Sequence, residues 1–438
     1  MAGRGLVLAA PASGSGKTLI TLGLLGALKR RGMRVAGAKS GPDYIDPQFH
    51  EAACGIASVN LDAWAMDAGT LIARAAGRDA DFVVVEGAMG VLDGAGTGGR
   101  GSVADLAETL GLPVVLIVDA AKLAQSAALP VAGLKALRPG LALAGVIFNR
   151  VASHRHAAML EAALAATGVP VLGSIPRDTA LTLPERHLGL VQAEENSGLP
   201  ALLDLIAETV AAHVDLDRLM DAAKPLAAGG TVHVLPPPGQ RVAIARDVAF
   251  SFFYPHMAED WRAAGAELSV FSPLADEVPA SDADAIVLPG GYPELHAGRI
   301  AGSNAFRAAM RAAADAGTPV YGECGGYMVL GRTLTDADGL AHPMLDLLPL
   351  DTTFAERRLH LGYRHLTPMP GGPFAGPLMG HEFHYAVVTH SGDAPPLFEA
   401  TDAFGEVLAP MGHRVGSVCG SFAHVIGPSN SAAPPAST

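Results

Sequence analysis

Short apolar runs alternate with longer mixed stretches along the first part of the chain, from Gly5 to Pro176. The runs are Leu6–Ala9, Val35–Ala38, Phe82–Val85, Val114–Val118, Ala144–Phe148 and Val171–Gly173. A strand that is buried on both faces is continuously apolar, and parallel strands need a crossover helix between them. The pattern therefore predicts an α/β domain with a parallel sheet, although it does not reveal the strand order.

The alternation stops near residue 195 and starts again near residue 241. An amphipathic stretch, Leu199–Val214, precedes two glycines at 229–230 and the turn-forming run Pro236–Gly239. Apolar runs then resume at Val242–Ala245, Leu268–Phe271, Ala285–Leu288 and Val320–Gly322. The glycines and prolines indicate a linker, and the renewed apolar runs indicate a second α/β domain.

Length and composition agree with two domains. At about 150 residues per domain, the 438 residues make two or three domains, and 50% hydrophobic with 17% charged residues is typical of a globular chain. We predict domains at 1–235 and 241–427, a linker at 236–240 and a disordered tail at 428–438, which is rich in Pro, Ser and Ala.

Charge and cysteine content exclude several classes of function. Thirty Lys and Arg against 43 Asp and Glu give a net charge of −13 without a basic block, so we expect neither nucleic acid nor a membrane surface as a partner. The apolar stretch Leu112–Leu137 is interrupted by charged residues, and Met1–Ala10 lacks a secretory core. Three cysteines without a C-x-x-C spacing argue against disulfides and structural zinc and favour a cytoplasmic protein.

A phosphate-binding loop follows the first predicted strand. The segment Pro11-Ala-Ser-Gly-Ser-Gly-Lys-Thr18 leads into a helical stretch, so Ser13, Gly14, Ser15 and Gly16 would cradle phosphates, Lys17 would pair with them, and Thr18 would bind Mg²⁺. Pro11 stands where such loops have their first glycine. The alternative is a Gly/Ser turn with a solvated lysine.

Acidic residues follow the next two strands of the same predicted sheet. They lie in the segments Lys39-Ser-Gly-Pro-Asp-Tyr-Ile-Asp-Pro47 and Glu86-Gly-Ala-Met-Gly-Val-Leu-Asp93. Because ligands bind at the carboxyl ends of parallel strands, these segments should converge on the phosphates, where Mg²⁺ would screen the carboxylates. Helix caps and turns are the alternative for any single acid.

A cysteine occupies a strand-to-helix turn in the second domain. Pro289-Gly-Gly-Tyr-Pro-Glu294 and Gly322-Glu-Cys-Gly-Gly-Tyr-Met328 follow consecutive strands. We expect Cys324 to be an exposed nucleophile whose thiolate is favoured by a helix N-terminus, with the amides of Gly291 and Gly325 forming an oxyanion hole. The alternative of a buried, inert thiol suits Cys54 and Cys419 better.

Spacing alone does not choose the base that would activate this cysteine. Several histidines follow it along the chain: His360, His381, His384, His413 and His424. The segment Gly380-His-Glu-Phe-His-Tyr385 differs from the zinc motif H-E-x-x-H, so zinc is the weaker interpretation.

Taken in order, these motifs resemble the glutamine-dependent corrinoid amidases, the cobyrinic and hydrogenobyrinic acid a,c-diamide synthases. The resemblance covers nearly the whole chain, and no motif separates the metal-free from the cobalt-dependent version. It implies an N-terminal P-loop domain that is similar to dethiobiotin synthetase, binds ATP and joins ammonia to a carboxylate. It also implies a C-terminal domain similar to class I glutamine amidotransferases.

The resemblance also implies roles for individual residues. Cys324 would attack glutamine and His424 would be its base, although Ile426 stands where typical class I glutaminases have a glutamate that orients the histidine. In the first domain, Thr18, Asp43 and Glu86 would bind Mg²⁺. The residues expected to serve the corrinoid substrate and phosphoryl transfer are Lys39, Ile45, Asp46 and Asp93.

The implied reaction is amidation of the a and c carboxylates through an acyl phosphate, with glutamine supplying ammonia. A carboxylate needs this activation because its charge repels nucleophiles and oxide is a poor leaving group. Cations at Lys122, Arg150, Arg155 and Arg177 could face the polycarboxylate substrate. The alternatives are another tetrapyrrole amidase, such as cobyric acid synthase or the nickel-sirohydrochlorin diamide synthase, or a P-loop ATPase switch with a degenerate glutaminase domain. A homodimer is left open.

Overall fold

The chain folds into two compact units, residues 1–232 and 233–438. The structure, a computed structural model, describes residues 3–183, 185–186, 189–190 and 192–429. The predicted tail therefore lies outside the described residues from position 430 onward. In the described part of the chain, no helix is both long enough and apolar enough to cross a bilayer.

Ten strands and eight helices belong to the first unit as described. The strands are β1 (Arg4–Ala9), β2 (Val35–Ser40), β3 (Val59–Leu61), β4 (Phe82–Glu86), β5 (Val114–Asp119), β6 (Leu143–Val151), β7 (Val171–Pro176), β8 (Glu185–Arg186), β9 (Gly189–Leu190) and β10 (Lys224–Pro225). The helices are α1 (Lys17–Arg30), α2 (Asp46–Cys54), α3 (Ala68–Ala76), α4 (Val103–Leu110), α5 (Ala128–Leu137), α6 (His154–Leu164), α7 (Leu199–His213) and α8 (Leu216–Ala222).

The central sheet of this unit has the strand order β3-β2-β4-β1-β5-β6-β7, and these seven strands are parallel. Every residue of β2 and β4 is buried, as expected for strands covered on both faces. Because β1 lies between β4 and β5, the loops that follow β1, β2 and β4 meet at one edge of the sheet. The prediction of a parallel α/β domain is confirmed.

Close packing against α7 fixes the helix that follows the phosphate-binding loop. A Cβ added at Gly23 in α1 would lie 2.2 Å from Val210 Cγ2, and one added at Gly26 would lie 2.8 Å from Ala207 Cβ. The two glycines therefore let α1 and α7 approach each other closely. This contact fixes the middle of α1 against α7.

The second unit is built from fourteen strands and four helices over its described residues. The strands are β11 (Arg241–Ala245), β12 (Glu267–Phe271), β13 (Ala285–Leu288), β14 (Val320–Glu323), β15 (Thr333–Thr335), β16 (Ala341–Pro343), β17 (Leu350–Thr353), β18 (His360–Pro368), β19 (Leu378–His384), β20 (Val387–Ser391), β21 (Phe398–Asp402), β22 (His413–Val415), β23 (Val418–Ser421) and β24 (His424–Pro428). The helices are α9 (Pro255–Ala263), α10 (Ala297–Gly302), α11 (Asn304–Asp315) and α12 (Gly325–Leu330).

Its main sheet runs in the order β12-β11-β13-β14-β23-β22, and only the β22–β23 pair in it is antiparallel. Two four-stranded sheets accompany it, with orders β16-β15-β17-β20 and β21-β18-β19-β24. In the latter sheet His381 on β19 pairs in register with His424 on β24. These sheets bring residues that are far apart in sequence to the end of β14, where the cysteine turn lies.

Candidate active sites in the two units

The phosphate-binding loop connects β1 to α1 and depends on a glycine immediately before the helix. Gly16 has a left-handed φ of 92°, and a Cβ there would lie 2.1 Å from Asn149 Nδ2. Asn149, on β6, donates a hydrogen bond of 2.9 Å to the carbonyl oxygen of Ser15. Asn149 thus holds the loop in place, a role that the sequence pattern did not suggest because the residue lies more than a hundred positions downstream.

Lys17 is the first residue of α1, and its ammonium group is held by backbone oxygens. Lys17 Nζ donates to the Met89 carbonyl at 2.6 Å, and Met89 itself has a left-handed φ of 51° in the loop after β4. Burial, together with the nearby charge of Lys39, lowers the pKa of Lys17. The loop after β4 therefore lies directly against the phosphate-binding loop, as the predicted convergence requires.

A cluster of oxygen atoms surrounds Lys39 at the carboxyl ends of β2 and β4. Glu86 Oε1 accepts hydrogen bonds from Thr18 Oγ1 at 2.6 Å and from Lys39 Nζ at 2.9 Å. Lys39 Nζ also forms an ion pair with Asp46 and lies 3.6 Å from Asp43 Oδ2. Burial alone would lower the pKa of Lys39, but the surrounding carboxylates raise it well above its ordinary value, so the ammonium stays charged.

Glu86 is positioned by a histidine that was not among the predicted site residues. His50 on α2 is fully buried, with Nε2 2.8 Å from Glu86 Oε2 and Nδ1 3.0 Å from Ser58 Oγ. Gly37 leaves the space for the ring, because a Cβ there would lie 2.7 Å from His50 Cβ. Burial would raise the pKa of Glu86, but Lys39 and His50 outweigh it and hold that pKa well below its usual range.

The oxygen cluster fits a magnesium ion by its chemistry. Thr18 Oγ1 lies 2.6 Å from Glu86 Oε1 and 3.4 Å from Asp46 Oδ2, and hydroxyl and carboxylate oxygens are the ligands that Mg²⁺ prefers. Lys39 already places a positive charge among these oxygens. Asp43 has a second task, because its Oδ1 accepts from the backbone nitrogens of Ile45 and Asp46 at the start of α2.

A cavity of about 640 Å³ opens beside this cluster. Asn149 and Pro176 line it, together with most of the residues predicted in the phosphate-binding loop and at the ends of β2 and β4. The predicted residues in the wall are Ser13, Gly14, Gly16, Lys17, Thr18, Lys39, Asp43, Asp46 and Glu86. Of the four predicted substrate cations, Arg150 and Arg177 contribute to the wall. The cavity is large enough for a nucleotide and borders on both arginines.

Several predicted residues do not line that wall. Ser15 is buried and donates to the Ala12 carbonyl at 2.8 Å, and Ile45 is also buried. Asp93 Oδ2 accepts from the Gly90 nitrogen at 2.9 Å and so shapes the loop after β4. Lys122 and Arg155 are exposed residues that the described cavity does not include.

In the second unit, the turn between β14 and α12 places Cys324 in a strained conformation. Cys324 has φ 46° and ψ −102°, and its backbone nitrogen donates to the Ser421 carbonyl at 2.8 Å. The second glycine after the cysteine, Gly326, is required by space, because a Cβ there would lie 1.9 Å from the Leu288 carbonyl oxygen. Strained backbone at a nucleophile is stabilised by its surroundings and is typical of a functional turn.

The expectation of an exposed thiolate at Cys324 is wrong. Only 3% of the residue is accessible, and α12 has six residues, too few for a strong helix dipole. Burial raises the pKa of the Cys324 thiol, and the carboxylate of Glu294 raises it further. The thiol is therefore neutral in this structure and requires a base to become a nucleophile.

The glycines of Pro289-Gly-Gly surround the cysteine turn as predicted for an oxyanion hole. A Cβ at Gly325 would lie 3.1 Å from the Gly291 nitrogen, and the Gly325 backbone forms a hydrogen bond to the Cys324 thiol. A Cβ at Gly290 would lie 2.5 Å from His424 Cε1 and 3.4 Å from Cys324 Cβ. The structure thus brings Cys324 and His424 together with Gly291 and Gly325, the two glycines predicted for the oxyanion hole.

His424 is a buried, neutral imidazole. Its ring stacks on His381 with centroids 4.9 Å apart, and His424 Nδ1 lies 3.8 Å from Glu323 Oε2. Burial, reinforced by His381 and His384, lowers its pKa well below the ordinary value. A neutral imidazole beside a neutral thiol is the arrangement in which a histidine can accept the proton of a nucleophile.

The other histidines have different surroundings. His381 Nε2 lies 3.0 Å from Tyr254 Oη, and His413 bonds to Tyr327 and Ser391. His360, Glu382 and His384 have the spacing of metal ligands, but Arg364 donates to Glu382 Oε2 at 2.7 Å and neutralises it. Glu382 therefore belongs to an ion-pair network with Arg364 and His384.

Comparison with known proteins places both units. Family models match at residues 6–191, described as a CobQ/CobB/MinD/ParA nucleotide binding domain, and at residues 241–432, described as a CobB/CobQ-like glutamine amidotransferase domain. The hydrogenobyrinate a,c-diamide synthase of Brucella suis is 56% identical over 98% of this chain and 100% of its own length. Those of Rhizobium meliloti and Rhodobacter capsulatus are 53% and 54% identical, over 96% and 97% of this chain and 99% and 98% of their own lengths.

The two sites and the matched domains define an ATP- and glutamine-dependent ligase that forms amides. The chain belongs to the hydrogenobyrinate a,c-diamide synthase family. The predicted resemblance, fold class and enzyme class are confirmed.

Proposed function

We propose that this chain converts hydrogenobyrinic acid to its a,c-diamide, using ATP and glutamine. The observation that carries the proposal is identity of 53–56% over nearly the full length to relatives with that name. Both reaction centres that such a conversion needs occur in the chain. Cobyrinic acid, which contains cobalt, is the competing substrate, because it has the same peripheral carboxylates as hydrogenobyrinic acid.

In the first unit, we propose that ATP phosphorylates the substrate carboxylate. The carboxylate oxygen attacks the γ-phosphorus, ADP leaves, and the product is an acyl phosphate. Lys17 Nζ would donate to phosphate oxygens instead of to the Met89 carbonyl. The backbone amides from Ser13 to Gly16 would bind the other negatively charged phosphate oxygens. Thr18, Asp46 and Glu86, with Asp43 beside them, are the residues that would hold Mg²⁺, which neutralises phosphate charge when bound.

Two arginines in the cavity could bind carboxylates of the substrate. Arg150 and Arg177 line the same cavity as the phosphate-binding loop, and guanidinium groups pair well with carboxylates. Arg150 already contacts the Gly14 carbonyl at 3.0 Å and pairs with Asp119. We propose that they bind carboxylates of the polyacid near the reacting group.

In the second unit, we propose that Cys324 Sγ attacks the side-chain amide of glutamine while His424 takes the thiol proton. The amides of Gly291 and Gly325 stabilise the oxyanion, ammonia leaves with the proton that His424 returns, and a thioester forms. Water hydrolyses the thioester to glutamate. The ammonia then attacks the acyl phosphate, giving the amide and inorganic phosphate. The cytoplasmic location and the homodimer stay predictions.

Product masses test the substrate assignment. Purified protein is incubated with ATP, Mg²⁺ and glutamine, and with either hydrogenobyrinic or cobyrinic acid, and products are followed over time by mass spectrometry. We expect a monoamide and then a diamide from the metal-free acid, at a kcat/KM well above that for the cobalt form. Higher kcat/KM with the cobalt form, or amidation beyond two groups, would contradict the proposal.

A further inference from the structure

The residue that orients His424 is missing from its usual place in the sequence. Two residues beyond His424 stands Ile426, whose apolar side chain can neither accept a proton nor hold an imidazole by a hydrogen bond. A histidine base needs a fixed ring orientation and tautomer, which a neighbouring acceptor normally provides.

Glu323, the last residue of β14, presents a carboxylate to this ring. Its Oε2 lies 3.8 Å from His424 Nδ1, and both side chains are buried. Its other oxygen, Oε1, accepts hydrogen bonds from Tyr321 Oη at 2.9 Å and from the Val425 nitrogen at 3.1 Å. One oxygen is thus anchored by two donors, and the second lies within ion-pair distance of the imidazole.

The anchoring donors connect the carboxylate to both halves of the site. Glu323 immediately precedes Cys324, and Val425 immediately follows His424, so the hydrogen bond between Val425 and Glu323 links the two reacting residues through their neighbours. In contrast, Glu382 is already engaged by Arg364 and His384. Glu294 acts on the cysteine by raising its pKa.

We infer that Glu323 is the positioning residue of His424 in glutamine hydrolysis, replacing the glutamate that other glutaminases carry after the histidine. The inference rests on the proposed roles of Cys324 and His424. When the imidazole takes the thiol proton at one nitrogen, the Glu323 carboxylate stabilises the resulting imidazolium through the Nδ1 proton. No proton is transferred to Glu323 in this step.

The protonation state of Glu323 gives a readout that a merely structural role would not produce. Burial raises its pKa to about 7, against the lowering effect of Val425 and Tyr321. The titratable groups that face Glu323 change protonation in other pH ranges, because the pKa values of Tyr321 and Cys324 are raised and that of His424 is lowered. Cys419, beside Tyr321, also has a raised pKa of about 12. Glutaminase kcat should therefore rise as the pH rises through about 7.

The test compares Glu323→Gln with the exposed control Glu399→Gln. For Glu323→Gln we expect kcat for glutamine hydrolysis to fall by about 10²- to 10⁴-fold with little change in KM, and the rise near neutral pH to disappear. Glu323→Asp should recover part of kcat. Amide formation from ammonia and ATP, which needs the first unit, should match the wild type, and an unchanged KM for glutamine shows that the second unit is folded.

Tyr321→Phe keeps the carboxylate and provides a second test if Glu323→Gln fails to fold. Removing a donor to the ionised form raises the pKa of Glu323, so the rise in kcat should move to higher pH. Wild-type kcat and an unchanged pH profile in Glu323→Gln, or an unmoved profile in Tyr321→Phe, would overturn the inference. Glutaminase activity in Cys324→Ala would instead overturn the proposed function, so the two failures are distinguishable.

Discussion

At the scale of single residues, the first site depends on charges that are buried and mutually compensated. Glu86 is fully buried and is tolerated because Lys39, His50 and Thr18 all contact it. Removing a partner from such a group leaves an uncompensated buried charge. Substitutions at this site should therefore preserve shape and change one charge only.

Replacing Glu86 by Gln, or Asp43 by Asn, should strongly reduce phosphoryl transfer. Each change keeps the side-chain shape and removes a negative charge near the proposed magnesium site, so we expect ATP-dependent amide formation to fall by about 10²-fold or more, which corresponds to about 2.7 kcal/mol of transition-state stabilisation. The measurement is turnover at saturating ATP and Mg²⁺, with circular dichroism to verify the fold.

The matched control is Glu51→Gln, an exposed acid on α2 that should leave turnover unchanged. Glutamine hydrolysis at Cys324 should survive in all three variants. Wild-type turnover in both Glu86→Gln and Asp43→Asn would refute the metal-binding assignment and leave helix capping as the role of Asp43.

Sequence reasoning found the residues that occur in compact motifs and missed those that act from a distance. The phosphate-binding loop, the acids after β2 and β4, and Cys324 stand at strand ends, where a pattern along the chain reveals them. Asn149, His50 and Glu323 contact the same sites through folding contacts 134, 36 and 102 positions away in sequence. The burial of Cys324 was missed because flanking glycines suggest exposure, whereas β23 and β19 cover the turn.

At the scale of secondary-structure elements, both sites are built at strand ends by turns that require glycine. The Pro289-Gly-Gly segment after β13 and the cysteine turn after β14 lie on adjacent strands, since β13 pairs with β14. Gly290 lies where His424 and Cys324 approach each other. The absence of a side chain there is therefore a requirement of the site.

Gly290→Ala should impair the glutaminase site while leaving the first unit active. The new Cβ would lie 2.5 Å from His424 Cε1, so the imidazole must move. We expect glutamine hydrolysis to fall by about 10- to 10³-fold, because small displacements of a positioned base are costly. Amide formation with ammonia should remain near the wild-type rate.

Gly302→Ala at the end of α10 is the control, since a Cβ there meets nothing within 4 Å. If Gly290→Ala hydrolyses glutamine like this control, His424 tolerates the displacement and the assigned geometry is wrong.

The sheet β21-β18-β19-β24 should give the second unit an acid-sensitive stability. Burial and Arg364 lower the pKa of His381 to about 3, against an ordinary value of 6.5. Its contribution to stability is present above about pH 6.5 and is lost as the pH falls toward 3, because only the unfolded state takes up the proton. At pH 5 the loss should be about 2 kcal/mol, since one pH unit corresponds to about 1.4 kcal/mol.

Denaturant titrations at pH 7 and pH 5 measure this loss. His381→Gln should lose less stability between the two values than the wild type, whereas His390→Gln, an exposed control on β20, should behave like the wild type. Glu323 titrates with the opposite sign, because its raised pKa favours the folded state at low pH, but it is present in every variant and cancels. Equal losses in wild type and His381→Gln would exclude the assignment.

The elements themselves were predicted unevenly. Most strands of the two main sheets were found because they are short, continuous apolar runs that end in small or acidic residues, whereas β3, β22 and β23 were not among the predicted runs. The strand order was not found, because it depends on contacts between distant segments. The two four-stranded sheets, β16-β15-β17-β20 and β21-β18-β19-β24, were also missed, since strands such as β16 and β20 are largely exposed and show no apolar run.

At the scale of the whole molecule, each unit carries one of the two proposed sets of reacting groups. The phosphate-binding loop and its acids belong to residues 1–232, and Cys324, His424 and Glu323 belong to residues 233–438. Glutamine hydrolysis and carboxylate activation can therefore be removed one at a time. In the proposed mechanism, the ammonia that glutamine hydrolysis releases is consumed only after the acyl phosphate has formed.

Free ammonia should rescue the loss of the second site and not the loss of the first. Cys324→Ala cannot form the thioester, and His424→Ala lacks the base, so neither should use glutamine, but both should make the diamide from an ammonium salt at a pH that supplies NH₃. Lys17→Ala should fail with either nitrogen source, because the acyl phosphate does not form. The measurement is ATP-dependent diamide formation, with glutamate release followed in parallel. Use of glutamine by Cys324→Ala would show that the nucleophile is another residue. Failure of ammonia with folded Cys324→Ala would show that the second unit is needed for carboxylate activation as well.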